Sequence, residues 1–276
     1  MKEKSILNST RRFGIEFEFL DSNIDRKILQ KAVISTGQNC HVRNWEHTIN
    51  NFDSWVAKTD SSCGFELCSP PFNEIKHIPL ISSVLDHCLK LKAEFNEMCG
   101  YHIHVEVSDF SWEMITKLVM HWIKIEHLII KSHPDHRTNN PYCKPLNSFL
   151  TNLRPNEKYE TISSDIFYQK KLALNTSNFE NRKTIEFRVG NMASKKEDIE
   201  ERIKFYLWFI EISKISKSPS NLNWLNPIET IHWLKLSHEY ELDSELKSMK
   251  IWFLNSLLDN IKNSIELKQI QEMRNL

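Results

Sequence analysis

Glycine is nearly missing from this chain, with five in 276 residues, against about 7% in ordinary usage. The five, at positions 14, 37, 64, 100 and 190, never lie close together. That excludes a P-loop or a dinucleotide-binding turn, both of which need closely spaced glycines. Charge of one sign is lacking too. Lys plus Arg and Asp plus Glu each number 36, and Lys195-Lys196 runs straight into Glu197, Asp198, Glu200 and Glu201. No basic stripe marks a nucleic-acid surface. The six cysteines contain no C-x-x-C pair, so a zinc ribbon is not expected. The longest apolar run, Phe205 to Ile210, is six residues, far short of the roughly 20 of a membrane span. The first residues, MKEKSILNSTRR, carry no apolar signal core. The expectation is a soluble, reduced, cytoplasmic protein with neither a membrane segment nor a direct nucleic-acid signal.

What is present is ample core material and clear periodicity. Eight Trp and fifteen Phe exclude disorder as the main state. In residues 12–20, Phe13, Ile15, Phe17 and Phe19 alternate with Gly14, Glu16 and Glu18, which predicts a half-buried strand. GFELC (64–68) reads as a second strand, stopped by Ser69-Pro70-Pro71. Ile81, Val84, Leu85, Cys88, Leu91 and Phe95 form a helical stripe. YHIHVEV (101–107) alternates again, and Ser111 is placed to cap a helix with the stripe Ile115, Leu118, Val119, Trp122, Ile125 and Ile129. Strands are also expected at 171–175 and 184–189. Between them and the second helix, residues 132–165 form a polar segment with four prolines, read as a substrate loop. Beyond 197 the pattern is helical, with the stripe Leu246, Met249, Phe253, Leu257, Ile261 and Ile265. The layout is α+β, divided into residues 1–196 and a helical region, 197–276, packed on it.

Three of the strands carry unusual polar faces. Glu16 and Glu18 share one; His102, His104 and Glu106 share another; Glu186 and Arg188 share a third. The outward face of an ordinary antiparallel sheet is filled with Thr, Ser, Lys and Gln instead. Carboxylates at i and i+2 stand about 6.5–7 Å apart along a strand, a separation suited to adjacent metal ions. Oxygen donors favour Mg²⁺ or Mn²⁺. Taken singly each motif has a plainer reading: a solvated face for E-x-E, a structural histidine, a cross-strand ion pair for E-x-R. The cysteines and tryptophans read most simply as core. Two other functional classes remain open on these residues. One is a metal-dependent hydrolase built on His102, His104 and a carboxylate, binding Zn²⁺; the other is a non-catalytic binding or assembly module.

The ordered series GIEFE (14–18), WVAKTDSS (55–62), ELCSPP (66–71), YHIHV (101–105), RTNNPYCKPL (137–146), ALN (173–175) and TIEFR (184–188) resembles the amidoligase family. Its members are ATP-dependent carboxylate–amine ligases with the glutamine synthetase and glutamate–cysteine ligase fold. The resemblance covers about residues 12–192. It implies a curved antiparallel sheet flanked by helices, with ATP and Mg²⁺ or Mn²⁺ as cofactors and amide-bond formation through an acyl phosphate. It implies metal ligands at Glu16, Glu18, Glu66, His104 and Glu186. Nucleotide contacts fall on Lys58, Ser62, His102, Lys171 and Asn175, and catalytic roles on Arg188, Asp60 and Arg137, with Tyr142 helping to close the site. The substrates implied are small-molecule or peptide carboxylates and amines, with the helical tail as the surface for a homo-oligomer or a partner protein. The chain departs from the family pattern at Val189-Gly190-Asn191-Met192 and at Lys170-Lys171.

Overall fold

Alternating Phe and Glu residues build the strand from which the sheet is organised. In the computed structural model, which describes residues 10–21, 25–43, 53–131, 133, 140–146, 164–193 and 195–216, this is β1 (Phe13–Leu20). Arg137, most of the polar segment 132–165 and the stripe beginning at Leu246 lie outside the described residues. Helix α1 (Arg26–Ser35) starts at Asp25, whose carboxylate accepts the Lys27 amide and so satisfies one orphan donor of the first turn. Strands β2 (Cys40–Val42), β3 (Trp55–Asp60) and β4 (Gly64–Cys68) follow. A 3₁₀ turn then leads into α2 (Ile78–Lys90). Next come β5 (Gly100–Glu106) and α3 (Trp112–Lys131), where the Ser111 hydroxyl accepts the Met114 amide. A second 3₁₀ helix (Ser164–Tyr168), the two-residue β6 (Leu174–Asn175), the single turn α4 (Phe179–Arg182), β7 (Thr184–Asn191) and α5 (Lys196–Ile215) complete the described elements.

The seven strands form one sheet in the order β2-β3-β4-β1-β5-β7-β6. The expectation of a wholly antiparallel sheet is corrected at one edge, where β2 and β3 run parallel. Residues 43–54 join them, long enough for the crossover a parallel pair needs. Two further differences have local causes. Leu91 and Phe95 fall beyond α2, because the chain turns at Leu91 and Lys92 enters the left-handed region at φ 64°. The strand expected at 171–175 shrinks to Leu174–Asn175, since Leu172 makes only an isolated bridge to Lys144.

The apolar face of the sheet carries the core. Phe13, Ile15, Phe17 and Phe19 of β1, Ile103 and Val105 of β5, and Ile185, Phe187 and Val189 of β7 are all buried. Trp122 of α3 packs on Phe187 with ring centroids 5.4 Å apart, and Tyr206 of α5 stacks flat on the same ring at 4.0 Å. Each fully buried side chain of this kind contributes about 1.5–3 kcal/mol of transfer free energy. Alternation then aims the intervening residues at the opposite face. Among the described residues, no helix is long and apolar enough to cross a membrane.

One irregularity shapes the polar face. Between the pairs Tyr101–Gly190 and Ile103–Phe187, β7 holds one residue more than β5, a β-bulge at the position of Arg188 and Val189. Gly190 is required there: a Cβ atom would lie 2.4 Å from both the ring and the carbonyl oxygen of Tyr101.

Candidate active site

Strand register gathers the polar residues into rows across the sheet. Glu66 pairs with Lys58 on one side and Glu18 on the other. Glu16 pairs with Cys68 and His102. His104 pairs with Glu186, and Glu186 with Asn175. Residues far apart in the chain thus meet on five neighbouring strands, β3, β4, β1, β5 and β7, and the short edge strand β6.

Contacts are close. The Lys58 ammonium lies 2.6 Å from Glu66 Oε2. His102 is wedged among three carboxylates, its Nδ1 3.3 Å from Glu16 Oε2 and from Glu186 Oε1, its Nε2 3.3 Å from Glu18 Oε1. The Gly100 amide donates to Glu18 Oε2 at 2.6 Å. Asn175 Nδ2 donates to Glu186 Oε2 at 2.6 Å, and the Arg188 guanidinium bonds Glu186 Oε1. Arg188 Nε also donates to the Tyr142 carbonyl at 3.0 Å, so the stretch 140–146 braces that arginine.

The electrostatics are unbalanced. Glu18, Glu66 and Glu186 are buried and Glu16 is largely so, while among the described residues only Lys58 and Arg188 are permanent cations in contact with them. Four carboxylates against two cations leave two negative charges in a poorly solvated place, and other groups respond. Burial, the strongest influence, pushes Glu66 well above the carboxylate range, and the charge of Glu16 adds to it. Burial acts the same way on Glu16, but the charge of His104 and then a hydrogen bond from His102 outweigh it and hold that carboxyl low. Glu186 is likewise held low against burial, by Arg188 and the two histidines. Burial lowers the affinity of His104 for a proton, yet the charges of Glu16 and Glu186 overcome this and push it up to about 9. A divalent cation would discharge the same excess more completely.

The donor set fits such an ion. Atoms of Glu16, His104 and Glu186 lie within 4.8 Å of one another, and so do atoms of Glu16, Glu66 and Cys68. His104 Nε2 is buried and out of alignment for a hydrogen bond with Glu16 Oε1, 3.3 Å away. A buried nitrogen left unsatisfied among carboxylates suits a ligand atom. Access comes from a cavity of about 370 Å³ whose lining includes Glu16, Cys68, His104, Arg12, Glu106 and Thr184. Gly14, which pairs with His104, also lines the cavity, and a Cβ atom there would meet the Ser69 hydroxyl at 3.3 Å.

Other candidate residues are placed differently. Asp60 follows Lys58 on the same face, but its Oδ1 accepts the Ser62 amide at 2.7 Å and the Ser62 hydroxyl, closing the β3–β4 turn. Those bonds hold its carboxyl low against the effect of burial. Lys171 is exposed, with its ammonium 4.7 Å above the Tyr142 ring. Asn175 is buried against Glu186. Two residues were not singled out from the sequence. Ser69 accepts the Ile15 amide at 2.9 Å and lines the cavity. Cys68 places its Sγ 3.9 Å from Glu16 Oε1, and burial, then Glu66 and Glu16, push its thiol well above the ordinary value. Alternation from Glu66 already put Cys68 on this face; its residue type pointed to the core instead.

A family model described as a putative amidoligase enzyme matches residues 9–210. A search of curated proteins returned no match. Among solved structures, the chain is similar to the complex between the prokaryotic ubiquitin-like protein Pup and its ligase PafA, at 14% identity and a TM-score of 0.41. That alignment covers 97% of this chain and 64% of the other, so this chain spans less than two thirds of its length.

Proposed function

The chain belongs to the amidoligase family, whose model spans residues 9–210, and from that premise we propose an ATP-dependent carboxylate–amine ligase working through an acyl phosphate. The observation that carries this reading is the buried excess of negative charge: Glu16, Glu18, Glu66 and Glu186 on one sheet face against Lys58 and Arg188.

A carboxylate is a poor electrophile. Its oxygen must first take the γ-phosphoryl group of ATP, releasing ADP; the amine then attacks the acyl carbon, phosphate leaves, and the amine proton passes to a base. Charge moves among phosphate oxygens throughout, so catalysis rests on positioning and electrostatic clamping. Glu16, Glu18, Glu66, His104 and Glu186 are the residues that would hold Mg²⁺ or Mn²⁺, which supplies positive charge to the phosphoryl oxygens when bound. Arg188, fixed by Glu186 and the Tyr142 carbonyl, offers a guanidinium to the group in transfer. His102, with carboxylates at both ring nitrogens, orients those carboxylates. Lys58, Ser62, Lys171 and Asn175 flank the nucleotide in this reading, and Asp60 positions the turn beside it. Arg137 acts from the polar segment. No serine or cysteine nucleophile is needed.

In the same reading the sheet is of the glutamine synthetase type, residues 197–276 pack on the unit 1–196, and the protein works in the cytoplasm. Its substrates are a small-molecule or peptide carboxylate and an amine, and partner contacts fall on the helical tail. The test is melting temperature with ATP, Mg²⁺ and both together, then ADP and phosphate release against pools of amino acids, polyamines and peptides. Stabilisation only by the combination is expected, by mass action on the folded state, with ADP release in at least one pool. No shift at millimolar Mg-ATP, with or without the pools, overturns the reading.

A further inference from the structure

Among the described residues of this face, Cys68 is the one soft donor beside the hard ones. Register sets it directly opposite Glu16 on β1, its Sγ is 3.9 Å from Glu16 Oε1, and its ligand atom shares a 4.8 Å cluster with Glu16 and Glu66. Ligands about 2.0–2.3 Å from a tetrahedral ion are separated by roughly 3.5 Å, so this spacing needs only small side-chain rotations. Cys68 and Glu16 also line the cavity, which gives an ion a path from solvent.

Resting on the reading of this face as a metal site, we propose that Cys68, Glu16 and Glu66 form a position for a thiophilic divalent cation, of the Zn²⁺ or Cd²⁺ class, which competes with the hard ion for Glu16. Thiolate donors select such ions over Mg²⁺. Binding converts the thiol to a thiolate: one S–metal bond forms, the S–H bond breaks, and the proton leaves to water, as does any proton that the Glu66 carboxyl carries. Charge then closes. Two carboxylates and a thiolate meet a dication and the Lys58 ammonium, which sits 2.6 Å from Glu66 Oε2. An ion at this position takes Glu16 away from His104 and Glu186, so Zn²⁺ is an inhibitory occupant of the site and links its state to free zinc.

The experiment titrates chelator-stripped protein with Cd²⁺, reading the ultraviolet sulfur-to-cadmium charge-transfer band, and with Zn²⁺ and Mg²⁺, reading the melting temperature. The expected result is a band at one Cd²⁺ per chain that is absent in Cys68→Ser. It should persist when Cys40, Cys63, Cys88, Cys99 or Cys143 is replaced singly, which assigns it by elimination even if Cys68→Ser fails to fold. Cys68→Ser should also lower the ratio of Zn²⁺ to Mg²⁺ affinity by at least the about 10–100-fold that loss of a supporting partner costs a metal site. No band in the parent protein, a band surviving Cys68→Ser, or an unchanged affinity ratio overturns the proposal. Mg-ATP stabilisation is measured on the same samples. If it occurs without a band, only this inference falls; a band without any Mg-ATP response leaves it standing and removes the ligase reading.

Discussion

Lys58 Nζ lies 2.6 Å from Glu66 Oε2 across the β3–β4 pair, with both side chains mostly out of solvent. The two partners are not equivalent, because the face already carries more carboxylates than cations. Lys58→Met in metal-free protein deepens the imbalance, and breaking such a pair costs about 3–5 kcal/mol. Glu66→Gln relieves it, so its cost should be near zero or negative. Urea denaturation in the presence of a chelator checks the sign; equal losses in both variants contradict the charge excess.

Arg188 is the second lever. Its fork bonds Glu186 and the Tyr142 carbonyl together, a geometry lysine does not reproduce. Arg188→Lys and Glu186→Gln should each lower ADP release by about 10²–10³, the scale of a lost transition-state electrostatic contact. Near-ultraviolet circular dichroism should show Arg188→Lys folded. Full activity in either variant removes that residue from the mechanism.

Acid stability depends on a different cluster. Asp109 accepts from Arg11 Nη1 and from Lys214 Nζ, each at 2.6 Å, tying the entry of β1 to the last turn of α5. The hydrogen bond from Arg11, more than any other influence, holds the Asp109 carboxyl below its ordinary value. A depressed folded-state value means the contribution is fully present above the unfolded carboxylate range, about pH 4, and is lost as pH falls through the depressed value. Asp109→Asn should therefore melt lower than the parent at pH 7, with the gap narrowing below about pH 4. Melting curves across that range, at low and high salt, test it.

Gly190→Ala tests the bulge. The added methyl would meet Tyr101 at 2.4 Å, and one of the two atoms there is backbone oxygen, which cannot rotate away. Overpacking of this kind costs about 1–3 kcal/mol, so the melting temperature should fall. ADP release should fall too, because the bulge sets the position of Arg188. A variant as stable as the parent would mean β7 can slide without cost.

The strands that alternate cleanly, β1, β4, β5 and β7, were legible in the sequence, as was α3 with its Ser111 cap. β3 was not: Trp55, Val56 and Ala57 are all buried, so the strand starts as a short apolar run that hides its period. Alternation also put Glu16 with Glu18 and His102 with His104. Which strand lies beside which is not local information, so the meeting of Glu16 with His102 and Cys68 emerges only from register. Asp60 and Ser62 show the converse. Their residue types suit a nucleotide, yet the same short polar chains close turns, and here they bond each other.

Glu16 is the one side chain common to both donor groups. In the proposed metal reading, alleles at Cys68 or Glu66 would touch one ion position and alleles at Glu186 the other, but every allele at Glu16 would touch both. In that reading the two positions are linked through a single codon, and a lineage retuning its metal preference would have to do so around Glu16, not at it.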